Sequence, residues 1–526
     1  MPGGSSLVQG YLGGETHLST FFQGGFRDSS SYREKAREVG QRFHEEEREA
    51  ALGLIQAATP GAADRLARFA KEGGFFVSTG QQPGLFTGPL YSLYKALTAV
   101  RLAEALETLL DKPVLALFWI ASEDHDWEEA DHTHVLDLQN ELVTIRVPEQ
   151  EGSANRPLHR IPIEKGLPQT LEALLTTLPD TDFSPPLVRL LQEAYAPGST
   201  LPCGFQTVFG ELLKELPLVF VDASHLKLKA ASLPLLFHEL QDAETHEAIL
   251  TRVASDLEQL GYHAQVPVLK GGINLFLEGP EGRDRLYRDG RGVRLNRAGT
   301  RMSVEDVRAV ALDDPSLLSP NVLLRPVVES ALFPTLSYVG GPGELAYFAQ
   351  LKEFFQAHGL WMPVVFPRHS ATLLETKIGK VLDKFHRSPT SLDRPFHELA
   401  AEVAQEEVPP EVRQGLGELR GAVGKGAGTL AKAVQGIDPT LKGPVTHARN
   451  AAFAAFDEAE KKILQALKRE NEIALEQLEK AQRHLYPLGK PQERVLNVFY
   501  YLIRYGPQLV SLLHEEFDVA LDLQSD

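Results

Sequence analysis

The chain has 526 residues, 43% of them hydrophobic, enough to bury a large core in about two to four domains rather than one. Its 53 Lys and Arg against 71 Asp and Glu leave a formal charge of −18, which argues against nucleic acid or an anionic membrane as the main partner and leaves room only for a local basic pocket. The single cysteine, Cys203, excludes an intrachain disulfide and a multi-cysteine zinc knuckle and fits a reducing, cytoplasmic setting; with no basic leader before an apolar run and no stretch of ~18 uninterrupted apolar residues, neither export nor membrane spanning is expected.

Residues 32–72 read as helical, with Leu52, Ile55, Leu66 and Phe69 returning at helical spacing, and lead into a first strand. That strand opens the stretch F-F-V-S-T-G-Q-Q-P-G-L-F-T-G-P-L-Y-S-L-Y, Phe75 to Tyr94. An apolar β-type run breaks at Thr79-Gly80, passes a polar turn holding Gln81 and Gln82, and enters a helix at Pro89 with Thr87 or Gly88 as its cap. Gly80, Gly84 and Gly88 would let backbone N–H groups approach a phosphate or carboxylate, with the positive end of the helix behind them. The spacing matches neither the dinucleotide fingerprint nor the P-loop, so a tight turn without a ligand is the competing reading. A helix over Leu90 to Leu110 and the continuous apolar run Pro113 to Ala121 complete a βαβ unit, whose site belongs beyond the carboxyl ends of its strands.

At that edge lies S-E-D-H-D-W-E-E-A-D-H-T-H, Ser122 to His134. Glu123, Asp124, His125 and Asp126 supply candidates for a general base, a magnesium ligand or a binder of an amine; a solvated loop capping a helix is the alternative. His132 and His134 would share a face only on a strand, and with no cysteine nearby no metal site is assigned to them. Short strands and helices over about 137–216 read as an insertion, after which the strand Leu218 to Ala223 ends on Asp222, with Ser224 and His225 as a further contribution to the edge. A helix around Leu233 to Leu260 precedes a β-rich patch, and residues 250–320 read as a second insertion with a helix-capping pattern at Ser303 to Asp306.

Asn321 and Arg325 precede a strand, Leu336 to Val339, a glycine loop of Gly340, Gly341 and Gly343, and a helix from Glu344 to Gln356, so the opening architecture recurs. Arg325 suits a carboxylate or phosphate, or equally a structural pair with Glu329. Pro363 to Pro367 supplies the last buried strand. Beyond about residue 370, Phe453 to Leu485 carries apolar residues at threes and fours; Glu460 and Glu470 interrupt the seam, favouring a short antiparallel hairpin that meets a second copy. Val495 to Ile503 and Leu509 to Phe517 read as helices returning to the core, giving a catalytic core over 1–385, a coiled-coil domain over 386–486 and docking helices over 487–526.

Three segments, S-T-G-Q-Q-P-G-L-F-T-G-P-L-Y-S-L-Y-K, F-W-I-A-S-E-D-H-D-W-E-E-A-D-H and S-P-N-V-L-L-R-P-V-V-E with Y-V-G-G-P-G-E-L-A-Y-F, together with P-L-G-K-P-Q-E-R-V-L-N, resemble the bacillithiol synthase family of cysteine-adding enzymes. The resemblance implies an α/β fold with a Rossmann-like parallel-sheet core, connecting-peptide insertions, a coiled-coil domain that forms a homodimer, and ligation of L-cysteine to glucosaminyl-malate. Its core is similar to class I aminoacyl-tRNA synthetases and the mycothiol cysteine ligase, whose H-x-G-H and K-M-S-K-S signatures are absent here; Arg301-Met-Ser303 only echoes the second.

Joining a free carboxylate to an amine requires activation of the acid, which calls for ATP with magnesium, an anion cradle, an acid to hold an ammonium and a base for the attacking amine. Under this reading Thr79, Gly80, Gly84, Thr87 and Gly88 form the cradle, and Glu123, Asp124, His125 and Asp126 are the catalytic set. Gln81 and Gln82 meet sugar or malate oxygens, Gly340, Gly341, Gly343 and Glu344 line a nucleotide subsite, Arg325 holds the malyl carboxylates, and Tyr91 and Asn321 are further substrate- or nucleotide-binding candidates. A binding scaffold that recruits another ligase, or a hydrolase using the same carboxylates, would carry the same residues.

Overall fold

The uninterrupted apolar runs become parallel strands because helices cover both of their faces. A computed structural model, describing residues 4–522, orders the main sheet as Ala57–Ala58, Leu218–Asp222, Val114–Ile120, Phe75–Gln81, Thr335–Gly340 and Val364–Pro367. Every neighbouring pair is parallel except the two-residue edge strand, which runs antiparallel. The Phe75–Gln81 strand sits where the order reverses: the chain builds outward on one side through Val114–Ile120 and Leu218–Asp222, then returns to build the other. In open α/β sheets such a switch point opens a crevice at the strands' carboxyl ends. The Leu90–Leu110 helix crosses between the first two strands and packs on both.

The second insertion is a five-stranded antiparallel sheet, ordered Arg301–Ser303, Gly292–Leu295, Gly282–Asp289, Gly272–Gly279 and Leu318–Pro320, against which the long Leu226–Gln259 helix packs. Ser303 and Asp306 form the expected capping box of the Val304–Asp313 helix. Several expectations need correction. The region 32–72 is three helices, Ser29–Arg42, Glu45–Leu52 and Ala63–Phe69, plus the edge strand, because Phe43 is extended and Pro60 opens a new turn. Pro89 is itself the extended residue before the helix, which starts at Leu90 without a side-chain cap. The helix expected over 344–356 is two, Pro342–Phe348 and Lys352–Ala357. The helix expected over 495–503 begins only at Phe499, since the preceding backbone is engaged elsewhere: Leu496 O accepts from Leu90 N and Asn497 N donates to His134 O, each at 2.9 Å.

Contacts divide the chain into two units, one holding the residues up to 138, 143–371 and those from 493 on, the other holding 139–142 and 372–492. The boundary therefore falls at 371/372 rather than near 385, because Ile378 and Leu382 belong to the second unit's own core with Leu399, Val403, Leu478 and Leu485. The return point is likewise 492/493. In the second unit the glycine-containing stretch Gly415 to Gly428 lies inside the helix Pro410–Val434; the chain turns at 435–441, and the helix packs against Lys442–Glu470 as a hairpin. Neither helix buries a residue. Among the described residues no helix is long and apolar enough to cross a membrane.

Candidate active site

A cavity of about 580 Å³ opens at the carboxyl ends of the central strands, on the side of the switch point. Gly80, Gln81, Gln82, Tyr91, Glu123, Asp124, Asn321, Arg325, Gly341, Gly343 and Glu344 line it. Thr79, Gly84, Thr87, Gly88, His125, Asp126 and Gly340 do not. Six cationic side chains, Lys95, Arg283, Arg285, Arg325, Arg368 and Arg494, face three carboxylates, so the lining is electropositive within a chain of charge −18. Clustered cations in a recessed, low-dielectric site concentrate anionic ligands.

The first glycine loop is not the cradle its glycines suggest. Phe86, Thr87 and Gly88 all have positive φ (50°, 77° and 67°), and the loop is held in that conformation from outside. Asn497 Nδ2 donates to Phe86 O (2.8 Å), Gly88 O (2.9 Å) and Thr133 Oγ1 (2.9 Å). The amides are equally engaged: Gly84 N donates to Gln82 O, Gly88 N to Leu85 O and Phe86 N to the Tyr195 hydroxyl. Gly84 and Gly88 are there for their own close approach, a Cβ on Gly84 lying 3.1 Å from Gly88 Cα. A Cβ on Gly80 would lie 2.8 Å from Trp119 O, so that glycine serves strand contact, and Thr79 Oγ1 donates across the sheet to Val339 O at 2.8 Å. Gly340 is hemmed in by Glu344 and Leu345, whereas a Cβ on Gly343 would meet nothing within 4 Å. In the second segment only Gly343, in the first turn of the Pro342–Phe348 helix, is open.

The carboxylates differ in what already holds them. Glu123 is ion-paired with the buried Lys229, which also donates to Leu318 O. Glu344 binds Lys95 at 2.6 Å and accepts from the Tyr338 hydroxyl (2.5 Å) and Gly341 N (2.8 Å). Burial alone would raise the Glu344 pKa, but Lys95 and these hydrogen bonds outweigh it and hold the group below the ordinary glutamate value. Burial pulls Lys95 down, opposed by Glu344. Lys95 also reaches Gly80 O at 2.8 Å and Gln81 Oε1 at 3.0 Å, tying the first strand to the second loop. Asp124 alone of the three has no Lys or Arg partner; it accepts from Gln82 Nε2 and from the His125 and Asp126 amides of its own turn.

His125 lies behind Asp124, its Nδ1 3.8 Å from Asp124 Oδ1, with Arg283 Nη1 at 3.5 Å and the Phe276 ring beside it. Burial, then the Arg283 charge, push its pKa below the ordinary histidine value, so it is neutral at neutral pH. Asp126 caps the Trp127–Ala130 helix through Glu129 N. Asp222 is spent on Ser122 and Ser224 in the turn after its strand, so it adds no group to the cavity. His132 and His134 do share a strand, His132–Leu136, with ring centroids 5.1 Å apart, but join no three-ligand cluster among the described residues.

Arg325 pairs with Glu329 at 2.7 Å and lies over Tyr338 (5.1 Å) and Trp119 (5.8 Å). Its Nη2 has no hydrogen-bond partner within 3.5 Å among the described residues. The residues that sequence reasoning missed are mostly cations. Lys95 was visible as the one charge in the first turns of an otherwise buried helix. Arg283 and Arg285 sit on a strand of the inserted sheet, their guanidiniums 4.0 and 5.0 Å from the Phe276 ring. Arg368 is fixed by a two-pronged pair with Glu493 (2.6 and 3.1 Å), and Arg494 follows in the returning C-terminal segment.

Comparison with known proteins agrees with this layout. Residues 1–369 match the family model for the bacillithiol biosynthesis BshC N-terminal Rossmann-like domain, and residues 371–522 that for the BshC C-terminal coiled-coil domain. The chain belongs to the BshC family. Relatives from Chlorobaculum tepidum (33% identical, covering 83% of this chain and 80% of the relative), Salinibacter ruber (34%, 82% and 79%) and Heliobacterium modesticaldum (31%, 97% and 96%) each carry the name "Putative cysteine ligase BshC". The family's domain division at 369/371 falls beside the 371/372 boundary seen in the contacts. The expected Rossmann-like core and coiled-coil domain are thus both present.

Proposed function

We propose that this member of a cysteine ligase family joins the carboxyl of L-cysteine to the amine of glucosaminyl-malate in the electropositive cavity, after ATP has activated the acid. The observation that carries the reading is the contrast, among the described residues, between three lining cations without a carboxylate partner, Arg283, Arg285 and Arg494, and a single carboxylate, Asp124, without a Lys or Arg partner. Both the malyl group and the nucleotide are polyanions, and both need cations set in fixed positions. Arg325, braced by Glu329 and with one nitrogen unused, takes a malyl carboxylate, and Arg283 and Arg285 face it from the inserted sheet. The nucleotide phosphates lie along Gly341 and Gly343, which line the cavity, Gly343 being open.

Asp124 holds the acceptor ammonium and takes one of its protons, which frees the nitrogen lone pair to bond to the activated carbonyl carbon; as the carbon–oxygen bond to the phosphoryl group breaks, the second surplus N–H proton leaves to the released phosphoryl oxygen or solvent. Glu123 and Glu344 are neutralised by lysines and shape the site. A magnesium ion fits only partly: Asp124 is the one carboxylate without a lysine or arginine bound to it, so the ion would be carried mainly by the phosphates. The hairpin helices bury nothing and expose Leu419 and Leu430, each about half accessible, which supports a homodimer through this arm.

Purified protein given ATP, cysteine and glucosaminyl-malate should form a new thiol, with AMP released if the acid is activated as an adenylate and ADP if as an acyl phosphate. Tight binding of the ligands without thiol product would favour a scaffold, and turnover without ATP a hydrolase.

A further inference from the structure

A second cluster of chemically active side chains lies outside the cavity lining. The 34-residue helix Leu226–Gln259 is broken at Asp242, whose backbone (φ −104°, ψ 19°) leaves the helical region. On either side of the break stand His238 and His246, eight positions apart, which a straight helix would separate by about 12 Å along its axis. Here their ring centroids are 5.3 Å apart. His358, at the end of the Lys352–Ala357 helix, completes the set, with centroids 4.9 Å from His238 and 4.3 Å from His246. One ring nitrogen from each histidine lies within 4.8 Å of the other two, and no other group of three or more such ligands occurs among the described residues.

We infer that His238, His246 and His358 form a binding site for a divalent transition metal of the zinc type. Two nitrogens of a tetrahedral zinc site, each bonded at about 2.0–2.1 Å, stand roughly 3.3 Å apart; His238 Nδ1 and His358 Nδ1 are 3.0 Å apart. Carboxylates orient two of the rings. Asp242 lies 3.1 Å from His238 Nε2, and Glu239 lies 2.6 Å from His246 Nδ1, which fixes which nitrogen of each ring remains for a metal. His358 Nε2 is buried with no hydrogen-bond partner within 3.5 Å among the described residues, its nearest carboxylate being Glu239 at 3.7 Å. Imidazole donors without thiolate suit zinc, nickel or copper rather than magnesium or calcium.

The site is wired to the cavity. Glu239 Oε1 accepts from Asn274 N (3.0 Å) and Nδ2 (2.9 Å), and Asn274 Oδ1 accepts from Asn321 Nδ2 at 2.8 Å. Asn321 lines the cavity, and its carbonyl accepts from Arg325 N at 3.0 Å. A bound metal would therefore brace the wall that carries Asn321 and Arg325, a positioning role distinct from the chemistry.

The test uses the full chain, stripped with a chelator and titrated with zinc alone against a chromophoric competitor, then with cobalt(II) alone while visible absorption is followed. The wild type should take up a single equivalent and develop the bands of tetrahedral cobalt. His238→Asn, a change at a half-exposed side chain that leaves the core intact, should abolish both signals, and Glu239→Gln should weaken zinc roughly 10–100-fold. His447→Asn, on the exposed hairpin, should change neither. A folded wild type that binds no stoichiometric zinc, or a His238→Asn variant that binds it as tightly, would overturn the inference.

Discussion

The two glycine loops beside the central strand look alike in sequence and differ in use. Both follow a buried strand, yet the loop at Gly84 to Gly88 is closed from behind by Asn497 and Tyr195, whereas Gly341 and Gly343, at the cap and in the first turn of the Pro342–Phe348 helix, line the cavity. Glycine spacing reports that a backbone bends or approaches something closely. It does not report what is approached: in the first loop it is another part of the chain, whereas a Cβ at Gly343 would meet nothing within 4 Å.

The sharpest break in that comparison comes at the second loop's anchor. Replacing Glu344 by Gln strands Lys95, only a few per cent accessible, without its partner and should cost about 3–5 kcal/mol in a denaturant titration. The pH dependence follows from the sign of the shift. Because Glu344 titrates below the ordinary 4.5 in the folded protein, its stabilising contribution is present above that value and lost as pH falls through the lowered one, and the Gln variant should lack this part of the acid slope.

At the closed loop, Asn497→Ala leaves Phe86 O and Gly88 O without their donor and should cost about 1–3 kcal/mol, read from the urea midpoint. Gly88→Ala places a side chain at φ 67° and should cost about 1–2 kcal/mol, with little effect on nucleotide affinity beyond that of the lost stability. The smallest stability change belongs to Gly343→Ala, within about 0.5 kcal/mol, because its Cβ enters open space. That same variant should raise the KM for ATP, and equal effects of Gly88→Ala and Gly343→Ala on KM would erase the distinction between the loops.

Much of the fold was legible because buried parallel strands are written as continuous apolar runs, such as Val114–Ile120, and because the insertions announce themselves through turns and capping boxes. Of the hairpin only the helix Lys442–Glu470 was legible from its apolar spacing; its partner is Pro410–Val434, not the residues up to Leu485, which form a separate helix, Glu472–Leu485. The site was legible where chemistry follows a strand end, as at Glu123 and Asp124, and illegible where it depends on distant chain. Arg368 and Glu493 are 125 residues apart, and Asn497 reaches Phe86 across 411. No local pattern encodes such pairs. Glu123 shows both sides: its place at the cavity follows from the strand end, but its ion pair with Lys229, 106 residues later, does not.

The account rests most heavily on Asp124, the one carboxylate in the cavity free of a lysine or arginine. The measurement that tests it is single-turnover thiol formation from ATP, cysteine and glucosaminyl-malate by wild type and Asp124→Asn, with circular dichroism to confirm folding. The account predicts a rate lower by about a hundredfold to ten-thousandfold with acceptor affinity changed much less; an unchanged rate in a folded Asp124→Asn protein would contradict it.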